Sequence, residues 1–385
     1  MRKVVSFVFW TLDAFVAGLF ILAWLGRHIR PDGVTWPIQL IAVGFPYLTV
    51  AVALLLIVQL LRRKWRSVTV HAILLAFAFV RYGGASPSSD PSSAPSDTLS
   101  LLSYNVSPYY GDDDTKGRDL VSFVRSVQPD VMALQEGAMV FVVDPSPRQT
   151  RGTHPLGHFA PLQDSLGYDA PLPTRSGAGA GLGHARIATL AREMQPAMHV
   201  HTLRLRSAND ALRQFVRLEY VLANRRVAIY NTHLRSYGSE KPWSDTTFHA
   251  LSPRTWRPFL RRYRSSIIDR AIETDTLRAL IEADPLPVVV AGDFNSTMHN
   301  WSYSRIQGFG LDDAWRVQGQ GRSATYHVSA PIARIDFVLV DPRLRVLSAE
   351  LIDETALSDH FPLLVRLAWK DDESETESAL PDTTR

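Results

Sequence analysis

The chain has 385 residues, 46% of them hydrophobic, with 41 Lys and Arg against 38 Asp and Glu and no cysteine. The missing thiols exclude disulfides, thiolate metal sites and cysteine nucleophiles. Residues 1–81 carry nine of the basic residues and only two acids, Asp13 and Asp32; subtracting these leaves 32 basic and 36 acidic residues downstream, a balance unlike that of a domain gripping duplex DNA through a basic footprint.

Residues 1–81 also hold nearly all the long apolar runs. Val4 to Leu25 is too long for a signal peptide's apolar core, and Pro37 to Leu61 carries no charge, so both are expected to span a bilayer. Val68 to Val80 is short and contains His71; it is expected to span, with a re-entrant or interfacial segment as the alternative. The N-terminus and the Arg62–Arg66 turn hold six cations, the Arg27–Arg30 loop and Arg81 three. The richer pair is expected on the cytoplasmic side, so three crossings would place everything after Arg81 outside the cytoplasm and two would keep it inside. Asp13 reads as a carboxylate facing another helix, with no catalytic part.

Residues 82–98 are almost wholly Gly, Ser, Pro, Ala and Asp and read as a tether, about 50 Å long if extended, over which the following domain could move. Residues 370–385 read as an acidic, disordered tail. Between them, 99–369 is expected to form one soluble α/β domain.

Within that domain, short apolar runs end in polar residues suited to metals and phosphates. Leu99–Tyr104 leads to Asn105, Val131–Leu134 to Gln135 and Glu136, Val227–Tyr230 to Asn231 and His233, and Pro287–Ala291 to Gly292, Asp293 and Asn295. Ile335–Val340 alternates around Asp336, and Ser358, Asp359 and His360 precede another apolar run. Such runs read as strands. Each polar residue alone is as well explained by a turn or a solvated side chain; six such ends with complementary chemistry outweigh that explanation.

The motifs YNV, LQE, NTHL, GDFN, RID and SDH, in this order, resemble the endonuclease/exonuclease/phosphatase superfamily, which is deoxyribonuclease I-like, over about Leu99 to Leu367. The resemblance implies a four-layer α/β sandwich of two β-sheets flanked by helices, here preceded by a helical membrane anchor. It implies a hydrolase using Mg²⁺, or Mn²⁺, to cleave a phosphodiester or phosphomonoester with activated water. Carried over residue by residue, it assigns the metal to Glu136 and Asn105, with Asp359 completing the set or supporting it from behind. It pairs His360 with Asp336, leaves the orienting of water open between His360 and Asp293, and puts Asn295 on a phosphate oxygen. His233 falls near the phosphate and leaving group, with Glu219 of RLEY as its expected orienting carboxylate.

The segment Ile187–Ala191 (IATLA) lacks the family's usual serine, and Phe141–Ala185 does not align. Gly177–Gly183 reads as a flexible loop, since no strand precedes it as a dinucleotide motif requires. In Arg254–Arg270, Trp256, Leu260, Tyr263 and Ile267 fall at helical spacing beside Arg257, Arg261 and Arg264. This reads as a helix packed on the sheet with a solvated basic edge; the sharper alternative is an edge that meets anionic headgroups. The expected partner is a phosphate-ester substrate, whether lipid headgroup, nucleic acid or small phosphodiester, in a multi-pass membrane protein with no obligate protein partner. The competing functions are a membrane-tethered nuclease and a non-catalytic phosphate-binding module.

Overall fold

The computed structural model describes residues 2–82, 97–106, 114–143, 162, 165–168, 174–175, 181–192, 197–204, 212–238, 249, 252–329 and 331–370. Most of the tether, nearly all of the acidic tail and much of the unaligned stretch lie outside the described residues. Of the glycine-rich run, 177–180 lies outside them, whereas Gly181–Gly183 begin strand β4 rather than a loop.

Two sheets form the body of the domain. The first has the order β11-β12-β1-β2-β4, made by Leu344–Leu351, Leu363–Trp369, Leu99–Asn105, Val131–Val143 and Gly181–Ala191. The second has the order β3-β5-β6-β7-β8-β10-β9, made by Thr174–Arg175, Ala197–Arg204, Leu212–Leu222, Arg225–His233, Val288–Asp293, Asp336–Val340 and Asp312–Asp313. Period-two alternation explains the layering. Leu99 and Leu101 of β1, Val227 and Ile229 of β7, Val289 and Ala291 of β8, and Val338 and Val340 of β10 fill one core between the sheets. Their odd-and-even neighbours face outward. Leu102 and Tyr104 pack with Phe123 of helix α5 (Asp114–Val127), while Val288, Val290 and Phe337 pack with Leu277 of helix α6 (Pro253–Glu282). Helix, sheet, sheet and helix give the expected four layers.

The N-terminal part is helical: α1 (Arg2–Leu25), α2 (Trp36–Val43), α3 (Phe45–Leu61) and α4 (Trp65–Tyr82). Among the described residues one helix, over Ser6–Leu25, is long and apolar enough to cross a membrane alone. The uncharged run from Pro37, expected to span, is not one continuous helix; α2 and α3 meet at a 62° bend and qualify by length and composition only as a pair. The cause is local. Pro46 is the second residue of α3 and cannot donate to the Ala42 carbonyl, against which its ring would press in a continuous helix. Apolar side chains such as Phe15, Leu54, Ile73 and Phe79 point outward from this bundle, while Asp13, Gln59 and His71 are buried inside it.

The bundle docks on the α/β domain, which corrects the expectation of a domain moving over the membrane surface on a tether. Gln39 accepts at Oε1 from Trp301 N, 3.1 Å, and from Asn300 Nδ2, 3.3 Å. Phe45 stacks on His299 with ring centroids 4.7 Å apart, and Arg30 pairs with Asp275 at 2.8 Å. These partners precede, begin or lie beside helix α7 (Trp301–Gln307), a few residues beyond the GDFN motif. In α6 the buried apolar positions include Phe259 and Ile267, whereas Leu260 is exposed beside Arg257, Arg261 and Arg264.

Candidate active site

The alternation that builds the inter-sheet core also delivers its polar end. Continuing the same parity along each strand brings Asn105 from β1, Asn231 and His233 from β7, Asp293 from β8 and Asp336 from β10 to the side facing the other sheet. Behind the mouth, Gln135 Nε2 donates to Asn231 Oδ1 at 2.8 Å and Asn231 Nδ2 to the Ala188 carbonyl at 2.9 Å, joining the two sheets by buried hydrogen bonds.

Glu136 reaches the mouth by a different device. Its parity matches Met132 and Leu134, which face outward. A positive φ of 61° and a break in the β2–β4 register after Gln135 redirect it. Its Oε1 accepts from Asn105 Nδ2 at 3.4 Å and lies 3.7 Å from His233 Nε2.

Asp293 is the hub. Its Oδ2 accepts from Asn105 Nδ2 at 3.0 Å and Asn295 Nδ2 at 3.1 Å, and lies 3.6 Å from His233 Nε2 and 4.0 Å from His360 Nε2. Its Oδ1 accepts from the Asn295 backbone N–H at 2.7 Å. Gly292 makes this approach possible: at φ +142° the backbone is so close to β7 that a Cβ would stand 1.9 Å from the Thr232 carbonyl oxygen.

Asp336 Oδ2 lies 2.9 Å from His360 Nδ1, fixing the ring so that Nε2 faces Asp293. Thr325 Oγ1 holds the start of β10 by accepting from the Asp336 N–H at 3.2 Å, and the Tyr326 ring packs 4.8 Å from the His360 ring. Ser358 donates to the Asn105 carbonyl at 2.6 Å and accepts from the His360 N–H at 3.1 Å, tying the SDH segment to β1. Asp359 is partly exposed between them, and its carbonyl accepts from Val328 N.

Electrostatics follow from burial. Loss of water, compounded by the nearby Asp336 carboxylate, pushes Asp293 up to about 7, against an opposing pull from His360. Burial alone would lower His360, but the charge and hydrogen bond of Asp336 outweigh it and push the imidazole up to about 10.

Ligand atoms of Asp293, Asp336 and His360 all lie within 4.8 Å of one another. This group differs from the expected metal set of Glu136, Asn105 and Asp359, none of which belongs to it, although Asn105 bonds to the same Asp293 Oδ2 and to Glu136. The donors fit a hard divalent cation. Two buried carboxylates share one acidic pocket with Glu136 at its rim, and Asp336 Oδ1 is buried with no hydrogen-bond partner among the described residues.

Glu219 is not at this site, contrary to expectation. In the β6–β7 register it stands opposite Ala228, five residues before His233, and its parity matches outward-facing Phe215. Its carboxylate accepts from Arg226 at 2.7 Å and lies 3.5 Å from Arg217. The carboxylates beside His233 are Glu136 and Asp293 instead.

One buried residue missed in the motif reading is Arg270. It donates to the Arg235 carbonyl at 2.7 Å and to Ser296 Oγ at 3.1 Å, bracing both the loop after His233 and the loop after Asn295. Its position three residues after buried Ile267 and four before buried Thr274 was the available signal.

A two-sheet sandwich with carboxylates, amides and imidazoles gathered at its strand ends is the architecture of a metal-dependent phosphoesterase. The chain belongs to the Endonuclease/Exonuclease/phosphatase family, which it matches over residues 102–360. Similar solved structures include an endonuclease/exonuclease/phosphatase family protein from Leptotrichia buccalis C-1013-b, with TM-score 0.48 and 16% identity over 70% of this chain and 100% of that one. Others are a mannosyl-6-phosphatase from Bacteroides thetaiotaomicron VPI-5482, with TM-score 0.48, 16% identity and coverage of 70% and 100%, and truncated TDP2 from Caenorhabditis elegans, with TM-score 0.43, 21% identity and coverage of 70% and 97%. A comparison with curated proteins gave no match.

Proposed function

We propose that this chain is a multi-pass membrane phosphoesterase that uses Mg²⁺ and activated water to hydrolyse a phosphodiester or phosphomonoester presented at the membrane surface, with its catalytic domain outside the cytoplasm. The observation that carries the reading is the convergence on Asp293 Oδ2 of Asn105, Asn295, His233 and His360, all within 4.0 Å.

Glu136, Asn105 and Asp293 would hold the cation, with Asp359 supporting that set from the SDH segment. When bound, a divalent ion supplies charge neutralisation at the phosphate and lowers the pKa of water. Asp293 is placed to orient the attacking water and take its proton. His360, held by Asp336, presents a positive Nε2 to a non-bridging oxygen, and Asn295 adds a hydrogen bond there. His233, 3.6 Å from Asp293 Oδ2 and 3.7 Å from Glu136 Oε1, is suited to the leaving oxygen.

The membrane reading rests on the bundle, whose outward faces carry large exposed apolar side chains while Asp13, Gln59 and His71 are turned inward beside its apolar core. In it α1, α3 and α4 run in alternating directions. At 18 residues, α4 is about 27 Å long at the usual rise per residue, close to the bilayer's hydrocarbon thickness. Three crossings put the Arg62–Arg66 turn on one side and the docking contacts, with the domain, on the other; the cation asymmetry makes the first side cytoplasmic. Arg264 comes near Gly33 in the α1–α2 loop, so the exposed arginine edge borders the bundle's domain-side end. That edge and the acidic balance beyond residue 81 favour a membrane-borne phosphate ester over duplex DNA.

The test is full-length protein in nanodiscs assayed with phospholipids, phosphorylated sugars and inositols, RNA and DNA, with and without Mg²⁺. Mg²⁺-dependent release from a membrane substrate is expected. Robust DNA cleavage with no lipid turnover would assign the nuclease function, and no turnover of any substrate would favour the binding module.

A further inference from the structure

The end of the bundle remote from the catalytic domain holds a cavity of about 690 Å³ between the first half of α1, the end of α3 and the start of α4. Arg62, Arg63, Lys64 and Arg66 all line it. Residues 1–81 offer only two carboxylates to balance them. Asp32 lies beyond α1, at the opposite end of the bundle. Asp13 is buried and already engaged, accepting from Gln59 Nε2 at 2.7 Å and standing 3.7 Å from His71 Nε2. Among the described residues none of the four cations forms an ion pair; Arg62 donates instead to Gln59 Oε1 at 3.4 Å. Like charges this close in sequence repel one another unless an anion joins them.

The local backbone adds to the imbalance. α3 ends in a Schellman turn, with Arg63 N bonded to the Leu60 carbonyl and Lys64 N to the Gln59 carbonyl, both at 3.0 Å. Its left-handed position, at a φ of 55°, is held by Arg63, although glycine would sit there without steric cost. The negative end of α3 favours Arg62 and Arg63 beside it, but Arg66 belongs to the next helix. It falls in the first turn of α4, which holds no acid, so its charge stands at the positive end of that helix dipole.

The same cavity is built for more than a bare ion. The Arg62 guanidinium is held 3.8 Å from the centroid of the Phe9 ring. Trp10 and Trp65 line the cavity and are each 66% exposed, and exposed indoles on membrane helices mark the level of lipid headgroups. Val70 also lines it and is exposed, giving an apolar wall against which acyl chains can lie.

We infer that this cavity is a discrete site for one anionic phospholipid of the leaflet farther from the catalytic domain. Its phosphate meets the cluster from Arg62 to Arg66 and the free N–H groups at the first turn of α4. Phosphatidylcholine brings the same phosphate, but its own ammonium cancels the charge that the cluster lacks. The site lies at the other end of the bundle from the Gln39 and Phe45 contacts, so it is separate from the catalytic centre. It rests on the reading that α1, α3 and α4 lie in a bilayer.

The experiment is native mass spectrometry of full-length, delipidated protein titrated with phosphatidylglycerol and with phosphatidylcholine of the same acyl chains. One phosphatidylglycerol should be retained about tenfold more strongly than phosphatidylcholine, the size of one charge-assisted contact. Arg63→Gly separates binding from folding. It puts glycine at the left-handed position, so Tm should be unchanged or higher while phosphatidylglycerol retention falls severalfold. Ser67→Glu places an acid inside the cavity, in the first turn of α4, and should have the same two effects. Arg30→Ala removes an equal charge at the other end of the bundle and should leave retention unchanged. Equal losses in all three variants would reveal a diffuse attraction to the whole protein and overturn the site. Unchanged retention in Arg63→Gly and Ser67→Glu, or equal retention of the two lipids by the unmodified protein, overturns it as well. Displacement of bound lipid by millimolar glycerol 3-phosphate would assign the cavity to a soluble phosphate instead of a lipid. Recovery of the protein in the soluble cell fraction would sink the bilayer reading, and is measured separately.

Discussion

His360 Nδ1 lies 2.9 Å from Asp336 Oδ2 while its Nε2 stands 4.0 Å from Asp293 Oδ2, so one imidazole bridges two buried carboxylates from adjacent antiparallel strands. The register places Asp336 directly opposite Asp293. Neither carboxylate can shift without moving the other's strand, which makes the three residues a single unit.

Units of this kind lose function together. His360→Ala and Asp336→Asn should each lower kcat by about 10²-fold or more, and the double variant by little more than either alone. Steady-state kinetics on the three variants check this. Multiplicative losses would mean that the two residues act independently.

Glu219 and His233 should separate. Glu219 faces outward on β6 and pairs with Arg226 and, at 3.5 Å, with Arg217; its side chain is only 12% exposed, so Glu219→Gln should leave kcat within about twofold while costing about 1–3 kcal/mol of stability. His233→Ala should lower kcat at least about tenfold. Equal losses would restore the pairing that the β6–β7 register rules out.

These contrasts show what the sequence made legible. Strand ends carrying Asn105, His233, Asp293 and Asp336 follow from period-two alternation, because each polar residue continues the parity of apolar residues already committed to the inter-sheet core. Glu136 was found from its motif, but its direction depends on a positive φ that no alternation predicts. Glu219 failed for the converse reason: proximity in sequence suggested a partner, while parity put it on the other face. The bend at Gly44 was readable from Pro46. The docking of Gln39 on Asn300 and Trp301 spans 261 residues or more and left no local pattern.

Metal binding should be pH-dependent in a stated direction. Asp293 is raised to about 7 from an unfolded value near 3.8, so between those values the folded protein holds a proton the unfolded chain has lost, and metal-free stability falls as pH rises. His360, raised to about 10 from 6.5, contributes stability below pH 6.5 that is lost on rising through 10. A divalent ion must displace the Asp293 proton, so the Tm gain from added Mg²⁺ or Mn²⁺ should be larger at pH 8 than at pH 5. Scanning calorimetry at both pH values decides it, and equal gains would remove Asp293 from the metal site.

Gly292→Ala should be among the most damaging small substitutions in the domain. The new methyl would stand 1.9 Å from the Thr232 carbonyl oxygen at a φ of +142°, forcing β7 and β8 apart at His233 and Asp293. A loss of about 3 kcal/mol or more is expected. Denaturant unfolding that shows a loss under about 1 kcal/mol would refute the close strand approach.

Two contacts between the bundle and the catalytic domain allow a comparison of buried and exposed polar groups. Arg30 and Asp275 pair at 2.8 Å, but their side chains are 46% and 35% exposed, and such pairs are worth under about 1 kcal/mol. Gln39 is buried, accepts from Trp301 N at 3.1 Å and donates from Nε2 to the Gly26 carbonyl at 2.7 Å. Its loss strands a donor at the first turn of α7 and an acceptor at the end of α1, at about 1–3 kcal/mol each. Gln39→Ala should therefore lower the Tm of the full-length protein several degrees and expose the Trp301 amide to hydrogen exchange. Arg30→Ala should do neither. Because Asn300 Oδ1 also accepts from the Thr297 N–H at 2.9 Å, two residues beyond Asn295, Gln39→Ala should in addition raise exchange through Asn295–Asn300. Full protection of that segment in Gln39→Ala would show that the loop after Asn295 holds its shape without the Gln39 contact.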